Sequence, residues 1–317
     1  MRRTVVAYGE ILWDLLPTGA VLGGAPFNFV YRINSLGHRG VMVSRLGSDD
    51  LGDRALKIVE QFELESGYLQ RDPVHSTGTV EVSFDEQRNP DYRIIPDVAY
   101  DYIRAETRLR RLLADADALC FGTLIQRSEH SKNTLYELLE AFSGTYVLLD
   151  INLRKDCYSR ESIRDSIRRA DILKLNDGEA DLLGKIYGMP PASTGLDLAG
   201  FCDAVFAQSS LRYIVVTLGD RGAFAASREG RRVYRPSFVV PLRDPIGSGD
   251  AFTAGFLDAL LNDKGLAQAC RFGNAMGALV ASQEGATRPL DRPRIEAFLA
   301  TAEIGLPESR YRQFMDS

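Results

Sequence analysis

The sequence predicts an α/β protein built on a parallel sheet covered by helices on both faces. Short apolar runs rich in β-branched residues recur along the chain. Each is followed by a turn and then by a longer segment of helical pattern, and this alternation continues throughout. With 317 residues and 45% hydrophobic content, the chain can bury a full core.

Taken in order, the runs at 4–8, 41–46, 118–121, 146–150, 172–175 and 214–218 read as strands. Segments 25–36, 53–62, 131–142, 160–169, 251–262 and 265–284 read as helices. One region breaks the rhythm. Between Thr77 and Pro96 two alternating runs flank a polar turn at 85–91, the pattern of an antiparallel hairpin. Residues 11–22, with Pro17 and Gly19 at their centre, supply further strands to the same small sheet. No repeat, low-complexity tract or flexible linker interrupts the chain, so a single domain over 1–317 with a protruding lid from about 11–22 and 77–96 is expected.

The net charge of -5 argues against a nucleic-acid or anionic-membrane partner. Cys120, Cys157, Cys202 and Cys270 lie far apart, in neither a zinc nor a disulfide pattern, and read as buried thiols in a reducing compartment. Glu10 and Asp14 interrupt the first apolar run and spoil a signal-peptide core. No stretch approaches membrane-spanning length, so a cytoplasmic location is expected.

Asp250 follows the turn Gly247-Ser248-Gly249 and opens a helix. Small residues let backbone N–H groups face an anion, the helix N-terminus adds positive potential, and Asp250 can take a proton from an attacking hydroxyl. The same string also reads as a tight turn with Asp250 as N-cap. Gly23 and Gly24 allow close backbone approach before a helix, Asn28 offers a donor and an acceptor, and Asp14 can accept hydroxyl hydrogens.

Asp150, Asn152 and Arg154 close a strand at its carboxyl end, where ligands of open α/β sheets bind, and period-two spacing would point all three one way. Arg154 suits a phosphoryl group or a substrate carboxylate. Asn176 and Glu179 read either as holders of a hydrated magnesium ion or as a capping box. Thr217, Gly219 and Gly222 suit a phosphate tail or a hairpin. Asn274 and Gly285 mark small-residue stretches where an adenine ring or a monovalent ion has room. The P-loop and the dinucleotide fingerprint are both absent.

In this order and spacing the motifs resemble the PfkB, ribokinase-like, carbohydrate kinases over essentially the whole chain. They are Gly23-Gly24-Ala25-Pro26-x-Asn28, Asp150-x-Asn152-x-Arg154, Lys174-x-Asn176-x-x-Glu179, Thr217-x-Gly219-x-x-Gly222 and Asp244-x-x-Gly247-x-Gly249-Asp250. The resemblance implies a three-layer α/β/α Rossmann-like core, a small β-sheet lid that also offers a homodimer contact, and ATP-dependent transfer to a sugar hydroxyl. The opening Gly9-Glu10-Ile11-Leu12-Trp13-Asp14 and the Gly-Gly-Ala-Pro form look most like bacterial fructokinases.

Carried over, Asp250 is the base, Gly247, Ser248 and Gly249 form an anion hole, and Arg154 assists. Asp14, Gly23, Gly24, Asn28 and Asn152 hold the sugar. Lys174, Asn176, Thr217, Gly219, Gly222 and Asn274 serve the nucleotide, while Asn176 and Glu179 organise magnesium through water. Asp244, Ile246 and Gly285 fall where potassium-activated members hold their ion, Ile246 through its carbonyl. A 2-keto-3-deoxygluconate kinase is the nearest rival reading, and a catalytically idle sugar-binding regulator is the rival from another class.

Overall fold

The computed structural model describes residues 1–16, 19–84, 90–189 and 197–315. Nine of the described strands make the main sheet: β1 (Thr4–Tyr8), β4 (Arg39–Gly47), β5 (Leu69–Asp72), β8 (Ala118–Phe121), β9 (Tyr146–Asp150), β10 (Ile172–Asn176), β11 (Tyr213–Thr217), β12 (Ala223–Ser227) and β13 (Arg232–Arg235). Their order is β13-β12-β11-β10-β9-β8-β1-β4-β5. From β5 to β11 all pairs are parallel.

Strand alternation sends residues into two cores. Val6, Tyr8, Leu119, Phe121, Val147 and Leu149 face one layer, and Val5, Ala7, Ala118, Cys120 and Leu148 face the other. Because both faces are buried, these strands are apolar at nearly every position, as the sequence pattern required. The first layer holds α3 (Thr107–Ala114), α4 (Glu129–Ala141), α5 (Arg160–Arg169), α6 (Asp177–Ile186) and α7 (Leu198–Ala207). The second holds α1 (Ala25–Ser35), α2 (Asp50–Gln61), α8 (Ser248–Leu261) and α9 (Leu266–Ala281), with α10 (Arg292–Thr301) packed beside α9. Every residue of α8 from Ala251 to Leu261 is buried, so this helix is enclosed on all sides and fixed between α1 and α9, and its two polar residues there, Thr253 and Asp258, are hydrogen-bonded.

The sheet corrects one expectation: it is mixed rather than parallel. β12 runs antiparallel to β11 and β13 antiparallel to β12. The connection from Thr217 to Ala223 is too short for a crossover and can only reverse the chain, so the glycines at 219 and 222 make a hairpin.

The order changes direction between β1 and β8, because β1 leads to β4 on one side while β8 lies on the other. Ligand crevices of open α/β sheets form at such switch points. Beside this point stands a second sheet of β2 (Leu12–Leu16), β3 (Gly19–Gly23), β6 (Gly78–Phe84) and β7 (Pro90–Ile94), in the order β3-β2-β6-β7. Its β6–β7 pair is the hairpin expected between 77 and 96. Pro17 and positions 85–89 of the predicted turn lie outside the described residues. Among the described residues no helix is long and apolar enough to cross a membrane, and the four cysteines are buried and free.

Asp49 fastens the small sheet to the main one. Its carboxylate accepts from the Gly52 amide at 2.8 Å, capping α2, and from the amide and hydroxyl of Thr77, each at 2.7 Å. Thr77 in turn accepts from the Gly47 amide at 3.0 Å. Burial pushes the Asp49 carboxyl up, but the bonds from Thr77 and Gly52 and the Arg71 charge outweigh it and hold the group below the usual carboxylate range. A depressed pKa contributes stability above the unfolded-state value and loses it as pH falls through the folded one. Asp49→Ala is therefore expected to cost about 1–3 kcal/mol in denaturant titration at pH 7. The gap to wild type should narrow as pH drops below the carboxylate range.

Candidate active site

The turn before α8 begins with Gly247 in the left-handed region, φ 77°, where a Cβ would come within 2.4 Å of the Ala286 Cβ. Gly247 is itself the N-cap, and α8 starts at Ser248 rather than at 251. Asp250 thus stands in the first helical turn and not at the cap. The Gly247, Gly249 and Asp250 amides have no carbonyl partner among the described residues and face outward at a positive helix end, as the first turn of a helix requires. Ser248 differs from expectation: its amide donates to the Pro245 carbonyl at 3.2 Å and its hydroxyl to the same oxygen at 2.7 Å.

Asp250 is half-buried and accepts from the Asn28 side-chain amide at 2.9 Å through Oδ2. Burial, reinforced by the Asp150 charge, pushes its pKa to about 6, against the pull of Asn28, Lys174 and Arg154. Asn28 is buried, and its Oδ1 has no partner among the described residues. An orphan acceptor one bond from the Asp250 carboxylate is a place for a ligand hydroxyl.

Register explains the next contact. Lys174 on β10 is the direct neighbour of Asp150 on β9, and the two side chains form a buried ion pair at 3.0 Å. The Thr253 hydroxyl, one helical turn beyond Gly249, donates to the other Asp150 oxygen at 2.8 Å. Burial lowers the affinity of Lys174 for its proton, but the charges of Asp150, Glu179 and Asp250 overcome this and raise its pKa. The Lys174 ammonium lies under the turn, where a Cβ on Gly249 would be 3.4 Å away.

Period-two alternation does not extend past Asp150, because β9 ends there and Asn152 takes φ 42° in the left-handed region. Asp150, Asn152 and Arg154 nevertheless line one small cavity of about 20 Å³ together with Glu10 after β1 and Thr123 after β8, space for about one water. Arg154 is exposed, with no side-chain hydrogen bond or ion pair among the described residues. Its charge reaches Glu10, Asp14 and Asp250 alike.

Asp14 projects from β2 of the small sheet and is half-buried. Burial raises its pKa and Arg154 opposes the rise. Gly23, on the adjacent strand, leaves space for it: a Cβ there would stand 2.9 Å from Asp14 Oδ2. Gly24 has φ 113°, and a Cβ would strike the Glu10 carbonyl at 2.5 Å.

The remaining expected residues cluster past the ends of β10 and β11. Asn176 and Thr217 are register neighbours, and Gly219 and Gly222 shape the hairpin that follows. Asn176 caps α6, accepting from the Glu179 amide at 2.8 Å, while Glu179 accepts from the Asn176 amide at 2.8 Å and from the Leu153 amide at 2.8 Å. The capping box is thus formed, and it ties the loop after β9 to α6. Asn274 is buried in α9 and donates to the Arg235 and Pro236 carbonyls at 2.9 and 3.2 Å, bracing that wall. Asp244 accepts from the Ile246 amide and the Gly285 amide, each at 3.0 Å.

Three residues here were not singled out from the sequence. Glu10 is buried, and burial carries its pKa to about 7 against the pull of Arg154. It lies two residues past the end of β1, so the strand-end rule that applies to Asp150 applies to it as well. Thr253 and Arg32 fall one helical turn beyond Gly249 and Asn28, a same-face spacing visible in the sequence.

A model of the pfkB family carbohydrate kinases matches residues 18–293. The fructokinase of Klebsiella pneumoniae is 28% identical over 314 residues, covering 92% of this chain and 97% of that one. Among solved structures, a fructokinase with bound ATP from Xylella fastidiosa aligns with a TM-score of 0.83 at 21% identity, over 95% of this chain and 99% of that one. A 2-dehydro-3-deoxygluconokinase from Thermotoga maritima aligns at 0.79 and 19% identity, over 95% and 99%. The two solved structures share the fold described above. The family model spans most of the chain and includes the turn before α8 and both strands flanking Asp14, and so this chain belongs to the pfkB family of carbohydrate kinases.

Proposed function

We propose that this kinase transfers the γ-phosphoryl group of ATP to a primary hydroxyl of a neutral sugar, fructose, with Asp250 as general base. The carrying observation is the Asp250 carboxylate, held by Asn28 through one oxygen beside three amides that have no carbonyl partner among the described residues, at the N-terminus of α8. Its other oxygen is available to a hydroxyl. A pKa near 6 leaves it ionised at neutral pH yet basic enough to accept a proton as the oxygen attacks. The Gly247, Gly249 and Asp250 amides would meet the charge that develops on the transferring group, with Lys174 beneath them and Arg154 above.

Asp14, in the space left by Gly23, would accept sugar hydroxyls, the orphan Oδ1 of Asn28 would accept another, and Gly24 and Asn152 would shape the walls. The nucleotide would lie past β10 and β11, over the open ground at Gly219, where a Cβ would meet nothing within 4 Å. Thr217, Gly222 and Asn274 frame that ground. Asn176 and Glu179 would hold magnesium through water. Asn176 is exposed, and both residues keep lone pairs beside their backbone bonds, which suits an ion that retains its waters and takes other ligands from phosphate. When bound, it would neutralise phosphate charge.

The small sheet would act as a lid over a single-domain body, because it carries Asp14 while Asp250 stands on α8. Val21 on its edge strand β3 is half exposed and would contribute to a contact between two chains. One observation favours a second reading, a kinase of 2-keto-3-deoxygluconate. Arg154 is an exposed cation without a partner among the described residues, and so is open to a substrate carboxylate. Against it, a sugar acid would enter among Glu10, Asp14 and Asp250.

A coupled ADP-release assay over neutral sugars and sugar acids decides between them. Fructose should show the higher kcat/KM, and Arg154→Gln should depress kcat more than it raises KM for fructose. A preference for the acid, with Arg154→Gln losing affinity for it alone, would sink the fructose reading.

Asp250→Asn should separate turnover from stability. The kcat should fall by about 10²–10⁴-fold, as for a lost general base. A raised carboxyl pKa means that above pH 6 the fold holds a charge it binds poorly, so the variant should be more stable at pH 8 by on the order of 1–2 kcal/mol. That gain should vanish as pH falls below the unfolded carboxylate range. Wild-type turnover in a folded variant rules Asp250 out as the base.

A further inference from the structure

Arg32 is 1% exposed, yet it forms no ion pair among the described residues. Its guanidinium donates to the Arg288 carbonyl at 2.7 Å and to the Ala286 carbonyl, and its Nε has no partner. Besides those carbonyl dipoles it has, among the described residues, only the Tyr31 ring, 5.1 Å from its guanidinium carbon, and the more distant Asp250 charge. A cation buried with so little compensation is costly, and a fold keeps one where the charge or the bracing is used.

Its position shows what it braces. Arg32 follows Asn28 by one turn on the same face of α1. Asn28 reaches Asp250, while Arg32 reaches the loop whose Ala286 packs against Gly247. One helix face therefore holds both the base and the wall behind the anion-facing turn. The Asp250 charge is felt at Arg32, and although burial lowers the Arg32 pKa to about 10 the group stays protonated at neutral pH.

We propose that Arg32 is a positioning residue that supplies, from inside the fold, the fixed positive charge behind the Gly247–Asp250 turn, so that the enzyme takes no potassium there. The residues expected to hold that ion do not suit it. Asp244 keeps lone pairs beside its bonds from the Ile246 and Gly285 amides, but the adjoining Ala286 and Arg288 carbonyls are turned to the Arg32 guanidinium. A second cation would meet the guanidinium at close range.

The catalytic half of this proposal rests on the kinase reading; the potassium half does not. Thermal unfolding of the wild-type protein should give the same Tm in potassium chloride and in tetramethylammonium chloride at equal ionic strength. A potassium-specific rise in Tm would overturn the proposal whether or not the protein phosphorylates sugar. In the ADP-release assay, wild-type turnover should be equal in the two salts. Arg32→Ala should lower kcat by about 10–100-fold with little change in sugar KM, and added guanidinium should restore part of the loss. A folded Arg32→Ala protein with unchanged kcat, or a low kcat that guanidinium leaves untouched, would overturn it. If the variant does not fold, the wild-type salt comparison decides alone.

Discussion

Like charges crowd the carboxyl end of the main sheet, and the arrangement there depends on keeping them apart or balanced. Glu10, Asp150, Glu179 and Asp250 come from four separate segments, and Asp14 from the small sheet. In a partly dry cleft their mutual repulsion is screened far less than in water. The parallel register of β9 and β10 supplies the first answer by setting Lys174 directly beside Asp150. Shifting that register by one residue would turn Lys174 to the opposite face and leave a buried carboxylate unpaired, a defect of about 3–5 kcal/mol.

The balance is incomplete. Glu10 and Asp250 keep raised pKa values because burial outweighs the cations within reach. Under the proposed function, incomplete compensation is also what would make Asp250 useful, since a fully paired carboxylate would be too weak a base to accept a proton near neutrality. Arg154, spread between three carboxylates and bonded to none, moderates the repulsion without quenching any one of them.

Much of this was legible in the sequence. Strands β1, β8 and β9 end where their apolar runs end, because a strand buried on both faces cannot hide its pattern. The turn at 247–250 was legible for the opposite reason: only glycine tolerates φ 77° against Ala286, so chemistry and sterics leave the same mark. What escaped depends on contacts between distant segments. Asn152 breaks the alternation by a backbone angle that no local pattern announces. Lys174 turns inward because β9 is its neighbour, and Ser248 is claimed by Pro245. The partners of Arg32 carry no mark in the sequence, because only the fold brings the 286–288 loop to its guanidinium.

The division of the site between two sheets has a consequence for how such an enzyme diversifies. Asp14 and Gly23 belong to β2 and β3, whereas Asp250, Lys174 and Asp150 belong to the body, and the two sets meet only across the cleft. Under the proposed function, a segment bounded by Leu12 and Gly23 selects the acceptor while the body performs the transfer. Exchanging that short stretch between relatives would be a way to retarget the acceptor while inheriting the transfer machinery whole, which makes residues 12–23, and not the core strand β1 before them, a natural unit for recombination.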